Sequence, residues 1–467
     1  MDKSQATTPM NRPSVAIIGG GCSGTLVALQ LLKQSGTIPL DIIIVERSGS
    51  IGTGLAYSVP SDVCKLNVPA NAMGAFPDEP QGFFSWLQQR ELHSTGEAFV
   101  SRRLFGEYLK DLLTTYSKDA HHTTVTAIAD SACDLTWDES RAQFRIDVAK
   151  TAPIHSDFCV LAVGNIERES LDGVLIKDTF SSPYEQASYQ SIEKLSKILV
   201  VGSGLTAIDL ILEAESRGFR GTYTMVSRHG RIPLAHEDSA NFANITLDAS
   251  LSSLASLTSL SLQSLVKLVR TESTRIGSSQ PVIAAVRPHI QSIWAALSDM
   301  DKRRFLRHVR PLWEVHRHRI PRPHWETVQS LRSSKRLRIV SGRVKSASRC
   351  EAGIEATIIS KDTTKKDIFD KAFICAGPEG DLTKVQMPLI QRLISRGIIT
   401  PGKLRLGVAP SQTSLPTVAA SRLEIIGPLQ REALWEITAV RELRIYAEKI
   451  AANVLATARE ALKRQSV

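Results

Sequence analysis

The sequence predicts an α/β chain built on two copies of one strand–turn–helix unit, and three observations carry that prediction. Residues 15–32 (VAIIGGGCSGTLVALQLL) and 198–212 (ILVVGSGLTAIDLIL) share a plan: an apolar run, a glycine-rich turn, then apolar residues at helical spacing. Each unit is followed by a second apolar strand, DIIIV and TYTMV, that stops on a polar pair, Glu46-Arg47 and Ser227-Arg228. Two further short segments, FCVLAVG at 158–164 and FICAGP at 373–378, read as buried strands ending on Gly164 and Gly377.

The first turn runs Gly19-Gly20-Gly21-Cys22-Ser23-Gly24 and fits G-x-G-x-x-G. The glycines of that pattern serve three steric ends, namely a tight turn, close approach to a pyrophosphate, and close helix–strand packing. The helix start presents free N–H groups and the positive end of its dipole to phosphates. Glu46 stands 22 residues after Gly24, the spacing of a carboxylate that holds a ribose hydroxyl, with Arg47 beside it. A structural turn followed by a surface Glu is the plainer alternative.

The second turn, Gly202-Ser203-Gly204-Leu205-Thr206-Ala207, fits the G-x-G-x-x-A variant. Arg228 lies 21 residues after Ala207, where an acid would otherwise select adenosine. A guanidinium there pairs with a 2′-phosphate and favours NADP(H) over NAD(H). A solvated surface Arg, or a turn that no longer holds a nucleotide, is the alternative. Together the turns predict two Rossmann-like dinucleotide-binding domains, FAD on the first and NADPH on the second. The NADPH domain is expected to interrupt a discontinuous FAD domain, giving 1–169, 170–365 and 366–467. A helical insertion is expected at about 240–320, where Ser- and Leu-rich sequence at helical spacing roofs the second domain.

Composition narrows the remaining classes. The chain has 467 residues, 42% of them apolar and 22% charged, which suits several globular cores and not a disordered chain. Its net charge of +10 suits phosphorylated or acidic ligands at least as well as nucleic acid, and no zinc-finger or RNA-recognition motif is present. No run of 18 apolar residues occurs and the N-terminal stretch is polar, so the expectation is a cytoplasmic protein without a membrane span. Six cysteines without any C-x-x-C pair offer neither a zinc site nor a dithiol redox motif.

Several stretches, read with the two turns, give the chain a wider likeness. They are GTGLAY (52–57), LNVPA (66–70), MGAFPDEP (73–80), SRRLFGEYL (101–109), VSRHGRIP, RHVRPLWEVHRHRIP and GPLQREALWEITAVRELR. In this order they resemble a bacterial FAD/NAD(P)-binding family, the YdhS-like flavoproteins, and are more distantly similar to flavin-dependent N-hydroxylating monooxygenases. The resemblance implies a flavin loop around Asn67, and a helix beginning near Gln430, after Gly427, that faces the flavin's ribityl or pyrophosphate end. Asn67 has both a donor and an acceptor for a flavin edge, and Arg102 has reach for a phosphate or flavin oxygen. Plain loop structure accounts for both residues equally well.

The residues from Arg303 to His324 carry seven arginines (303, 304, 307, 310, 317, 319, 322) and four histidines, opposed within that span by Glu314. Arg303, Arg304 and Arg307 read as a solvated helix face. The stretch RPLWEVHRH mixes Trp and Leu with cations, so it is expected to be half buried, with Arg310, His316 and His318 candidates for orienting a substrate. His316 and His318 stand two apart, which does not suit a shared metal, and no metal is expected. The reading that results is an FAD-dependent, NADPH-using oxidoreductase, a monooxygenase that hydroxylates a small amine or amino acid with O₂ through a peroxyflavin. A flavin dehydrogenase or oxidase, and a nucleotide-binding regulatory protein, are the alternatives. No catalytic side chain is singled out, because the flavin carries the chemistry.

Overall fold

The computed structural model describes residues 12–59, 61–92, 95–171, 173–237, 261–361, 363–410 and 413–465. The expected Ser- and Leu-rich helical stretch at 240–260 lies outside the described residues.

Strand β1 (Ser14–Ile18) leads through the first glycine turn into helix α1 (Cys22–Ser35), and β2 (Leu40–Val45) follows. Short helices α2 (Gly54–Tyr57) and α3 (Gly82–Gln89) precede α4 (Arg102–Asp119) and β3 (Thr123–Ile128). An antiparallel sheet of β4 (Ala132–Asp138), β5 (Gln143–Val148) and β6 (Ile154–Ser156) comes next, then β7 (Phe158–Leu161). The first parallel sheet has the order β16-β7-β1-β2-β3, and β16 (Leu423–Ile425) comes from the far end of the chain. Helix α1 is buried between this sheet, α4 and the C-terminal helix Val440–Gln465, which explains its apolar sequence on nearly every face.

A two-stranded ribbon, β8 (Ser170–Leu171) with β9 (Val174–Leu175), opens the second half. Strand β10 (Lys197–Val201), the second glycine turn, helix α5 (Leu205–Ser216) and β11 (Thr222–Ser227) repeat the first motif. The sheet is completed by β12 (Leu337–Cys350), β13 (Gly353–Ser360), β14 (Thr364–Phe369) and β15 (Lys371–Ile374), in the order β14-β13-β12-β11-β10-β15. Its four strands β12-β11-β10-β15 are parallel, in the same arrangement as β3-β2-β1-β7. The chain is therefore α/β, with two Rossmann-like dinucleotide-binding folds. In each, the strand order reverses between the first and fourth parallel strands, where ligands of such sheets bind.

The structure corrects three expectations. Strand β15, placed after the expected break at 365/366 in the second part of the first unit, is hydrogen-bonded inside the second sheet. It is that unit's fourth parallel strand, and the chain crosses back only after it. The two crossings run side by side: Glu379 N donates to Ile166 O, and Arg168 binds the carbonyls of Gly377 and Pro378 and the carboxylate of Glu379.

The long helix expected from Gln430 begins at Val440 instead. Pro428–Gln430 makes a single 3₁₀ turn, and the following residues are drawn into contacts elsewhere. Glu432 accepts from the backbone N–H of Leu404 and Leu406, and its carbonyl accepts from Trp294 Nε1. The helices Leu262–Ile276, Gln280–Val286, Ile290–Ala296 and Arg310–Arg317 also depart from the expected roof over the second unit. Their core (Val282, Ile293, Trp294, Phe305, Trp313) closes on Leu406 and Trp435 from the C-terminal part of the chain. Trp435 is stacked on Trp294 at 5.0 Å and 3% exposed, so it is a core residue.

Candidate dinucleotide-binding sites

The two glycine turns are built alike. Gly19 has φ +106°, and a Cβ there would stand 2.3 Å from the Ala162 carbonyl oxygen at the end of β7. Gly202 has φ +113°, and a Cβ there would stand 2.2 Å from the Cys375 carbonyl oxygen just past β15. Only glycine allows the first strand to turn this close to the fourth. Gly21 and Gly204 are the N-caps of α1 and α5, and no side chain caps either helix. The first-turn N–H groups of Cys22, Ser23 and Gly24 in one, and of Leu205 and Thr206 in the other, are thus left for an anion, while Ala207 N donates to Gly204 O at 3.1 Å. Gly164, Gly204 and Gly377 each border open space: a Cβ at any of them would meet nothing within 4 Å. Gly427, at φ +89°, lies against the Ser23 hydroxyl, so it does adjoin the start of α1 although only a single 3₁₀ turn, and not the long helix, begins there. An uncapped helix start, a glycine lip and open space are what a dinucleotide pyrophosphate needs, so the residues fit the group in both units.

The polar residues beside the turns divide sharply. Glu46 Oε2 accepts from Gly20 N at 2.9 Å, and Oε1 accepts from Ser48 N and Oγ, which holds the carboxylate against the first turn. Arg47 is exposed. At the second turn, the Ser203 hydroxyl lies 2.8 Å from that of Ser227 and donates to Arg231 O, tying the loop after β11 back to the glycines. Arg228, His229 and Arg231 are exposed around that loop, and among the described residues neither arginine has an ion-pair partner. Partial burial and the charges of Arg231 and Arg228 hold His229 below its ordinary pKa. The Cys22 thiol, buried in the first turn, is pushed up to about 12 by that burial, so it is an inert wall.

Arg102 has a carboxylate partner in the second unit. It opens α4, and its guanidinium pairs with Asp209 of α5 at 3.1 Å across the two units. Burial alone would lower the arginine, but Asp209, Tyr57 and Cys64 more than offset it; Asp209 itself is raised by burial against the pull of Arg102. An Arg102→Ala protein is expected to lose about 3 kcal/mol of stability in urea unfolding, because the carboxylate is left buried without its cation. The double variant with Asp209→Ala should recover most of that loss.

Asn67 sits half buried, and its backbone carbonyl lies 3.0 Å from His236 Nε2, so a strap of the second half touches the loop expected at the flavin. Of the basic stretch, Arg303, Arg304 and Arg307 are exposed, whereas 310–318 is partly buried. Arg310 is paired with Glu314 at 2.7 Å, and His316 Nδ1 lies 2.8 Å from Ser279 Oγ. His318 is held below its ordinary pKa, chiefly by burial, near Glu436 and Arg317. The structure thus separates the three candidates: Arg310 and His318 border the Trp435 core, while His316 faces the strap at 231–237. Asp209, His236 and Arg319 were missed as site residues. Only Arg319 carried a signal, as one cation in a basic run; the other two acquire a place through contacts with distant segments.

Comparison with known proteins agrees with this architecture. Residues 16–166 match a family model described as FAD-NAD(P)-binding. No curated protein matches the chain. Among solved structures, an ornithine N-hydroxylase of Kutzneria sp. 744 is similar over 96% of this chain and 99% of its own, with a TM-score of 0.63 at 12% identity. An L-lysine 6-monooxygenase from Pseudomonas syringae is similar over 96% and 99%, with a TM-score of 0.63 at 14% identity. A cadaverine monooxygenase from Erwinia amylovora is similar over 95% and 94%, with a TM-score of 0.63 at 11% identity. At these identities the likeness is one of fold: the chain has the FAD/NAD(P)-binding fold of flavin monooxygenases over nearly its whole length.

Proposed function

We propose that the protein is an FAD-dependent, NADPH-using oxidoreductase of the monooxygenase kind, acting on a small amine or amino acid. The observation that carries the reading is the duplicated turn. Two uncapped helix starts with glycine lips and open space lie in one chain, the first beside a fixed carboxylate and the second beside arginines without an ion pair among the described residues. The near full-length likeness to amine and amino-acid hydroxylases adds support at the level of fold.

In this reading Gly19, Gly21 and the first turn of α1 hold the FAD pyrophosphate, and Glu46 accepts a hydrogen bond from its ribose. Gly202, Gly204 and the start of α5 hold the second pyrophosphate, and Arg228 with Arg231 takes the 2′-phosphate. FAD, when bound, supplies two-electron redox chemistry and reaction with O₂. The chain's part is to bind, to orient and to keep the meeting point of the two cofactors dry. The Arg102–Asp209 pair and the paired crossings at Arg168 hold the two units in one arrangement. We place the crossings at about 164–168 and 377–379, with the second unit between them.

The test begins with colour. Protein purified with its prosthetic group should be yellow and should bleach faster with NADPH than with NADH; a colourless, folded preparation that takes up no FAD would end the proposal. Consumption of NADPH with O₂ should then rise with an amine or amino-acid substrate and yield the hydroxylated product. NADPH oxidation that never transfers oxygen would point to a dehydrogenase or oxidase instead. Arg228→Ala should weaken NADPH binding by about 2 kcal/mol, roughly 30-fold, and leave NADH unchanged. Equal weakening of both would show that Arg228 does not read the 2′-phosphate.

A further inference from the structure

One cation at the junction of the two halves, Arg319, has no ion-pair partner among the described residues. Strap residues 234–236 pair with Ile320 through a parallel bridge between Ala235 and Ile320, with His236 N donating to Ile320 O and Ile320 N to Leu234 O. That bridge sets Arg319 beside His236. Arg319 donates to the side-chain oxygen of Gln280, a neutral acceptor, and its Nε is buried without a partner among the described residues. Gln280 is in turn committed to Glu237 N and Ala235 O.

The neighbours of this guanidinium do not neutralise it. Arg317 and Arg287 face it as like charges, and each already has its own carboxylate, Glu436 and Glu442. The charge of Glu237 reaches Arg319 and raises it, but this acid is exposed, held by Ser278 Oγ at 2.8 Å, and makes no ion pair with the guanidinium. Burial first, then Arg317, pulls Arg319 down to about 10. His236, pushed down to about 4 by burial and Arg319, is neutral, and so is His316, lowered by burial, Arg319 and Arg231. A partly buried arginine with a bare Nε, flanked by two uncharged imidazoles, is unfavourable until an anion meets it.

We propose that Arg319, with His236 and His316 beside it, is the binding site for a carboxylate carried by the protein's small-molecule substrate. The planar guanidinium matches a carboxylate in geometry; neutral His316, accepting at Nδ1 from Ser279 Oγ, keeps its Nε2–H as a donor, whereas the N–H of His236 is spent on Asn67 O. The dinucleotide phosphates have a cradle of their own at the start of α5, so this cation serves another molecule. His236 joins the site to the Asn67 loop at 3.0 Å, and His316 lies within the field of Arg231 on the second-turn loop. A ligand anchored at Arg319 is therefore held between the two cofactor loops. This last step rests on the function proposed above; the anion site itself does not.

The experiment uses the full chain with its FAD and acetate as the probe, reading the titration of His236 and His316 by histidine-selective NMR. Acetate should raise the midpoint of His316 by about 1 pH unit, since a nearby negative charge favours the imidazolium, and that of His236 by less, because near pH 4 much of the acetate is protonated. Acetamide, its neutral counterpart, should leave them unchanged. Arg319→Gln should abolish the acetate effect and Arg319→Lys should keep part of it, which separates lost charge from lost folding. No acetate effect in the parent protein, or an equal effect in Arg319→Gln, overturns the proposal. Loss of the effect on adding NADP⁺ also overturns it, because the guanidinium would then belong to the dinucleotide. If the chain takes up no FAD and the acetate effect persists, the oxidoreductase reading fails and the carboxylate site stands.

Discussion

A Gly24→Ala protein is expected to purify almost without flavin, and less stable than its parent. A Cβ at Gly24 would stand 1.9 Å from the Gly19 carbonyl oxygen and 3.0 Å from Ile17 Cγ2. The first obstacle is backbone, so no side chain can swing aside, and α1 would have to lift away from β1. That displacement costs about 3 kcal/mol, and FAD affinity should fall by roughly 100-fold or more because the helix start no longer faces the pyrophosphate. The ratio of visible flavin absorbance to protein absorbance reads the result directly. Gly204→Ala is the informative partner. Its Cβ would meet nothing within 4 Å and its φ is −82°, so that protein should fold, keep its flavin and lose NADPH affinity. Full flavin content in Gly24→Ala would show that the first turn is not the FAD cradle.

Removing the carboxylate at Glu436 should have the largest effect outside the cofactor turns. Glu436 is 4% exposed, accepts from Trp313 Nε1 at 2.9 Å and pairs with Arg317, itself 7% exposed, at 3.2 Å. Glu436→Ala leaves that guanidinium buried without a counter-charge and unties the helical layer from the C-terminal segment. A loss of about 3–5 kcal/mol is expected in urea unfolding. Glu436→Gln keeps an acceptor for Trp313 and should lose less. The acid also carries a pH signature. Burial by itself would raise its pKa, but Arg317, His318, the Trp313 bond and Arg287 outweigh it and hold the carboxyl below 4.5. A folded value below the unfolded one means that the unfolded chain binds more protons in that window. The contribution is therefore complete above about pH 4.5 and lost as pH falls through the folded value. The parent should lose stability more steeply than Glu436→Ala as pH falls below about 4.5; parallel slopes there would refute the assignment.

Much of the fold was legible because it depends on local rules. The apolar runs of β1 and β10, the glycines after them and the helical spacing of α1 and α5 are short-range patterns with one steric reading. The segments 158–164 and 373–378 were legible as buried strands. Their role beneath Gly19 and Gly202 depends on a partner more than 140 residues away in each case. The late start of the C-terminal helix was not legible. Apolar spacing continues through 430–439, but Glu432 and Glu436 are engaged by Leu404, Trp313 and Arg317, and those contacts win over helix propensity. Arg102 shows the same limit at the candidate site. Its position after a flavin-like loop suggested a phosphate, and only the approach of α5 revealed Asp209 as its partner.

By itself the sequence determined that this protein has two dinucleotide-type turns, where each would face and which charge stands at the edge of each. Steric necessity at glycine and the period of apolar residues are properties of the chain over a few tens of residues. Tertiary structure alone decided which buried charges are satisfied: Arg102 by Asp209, Arg317 by Glu436, and Arg319 by no acid among the described residues. Pairing of charges depends on distances between segments far apart in the chain, and those distances exist only once the two sheets and the helical layer have packed.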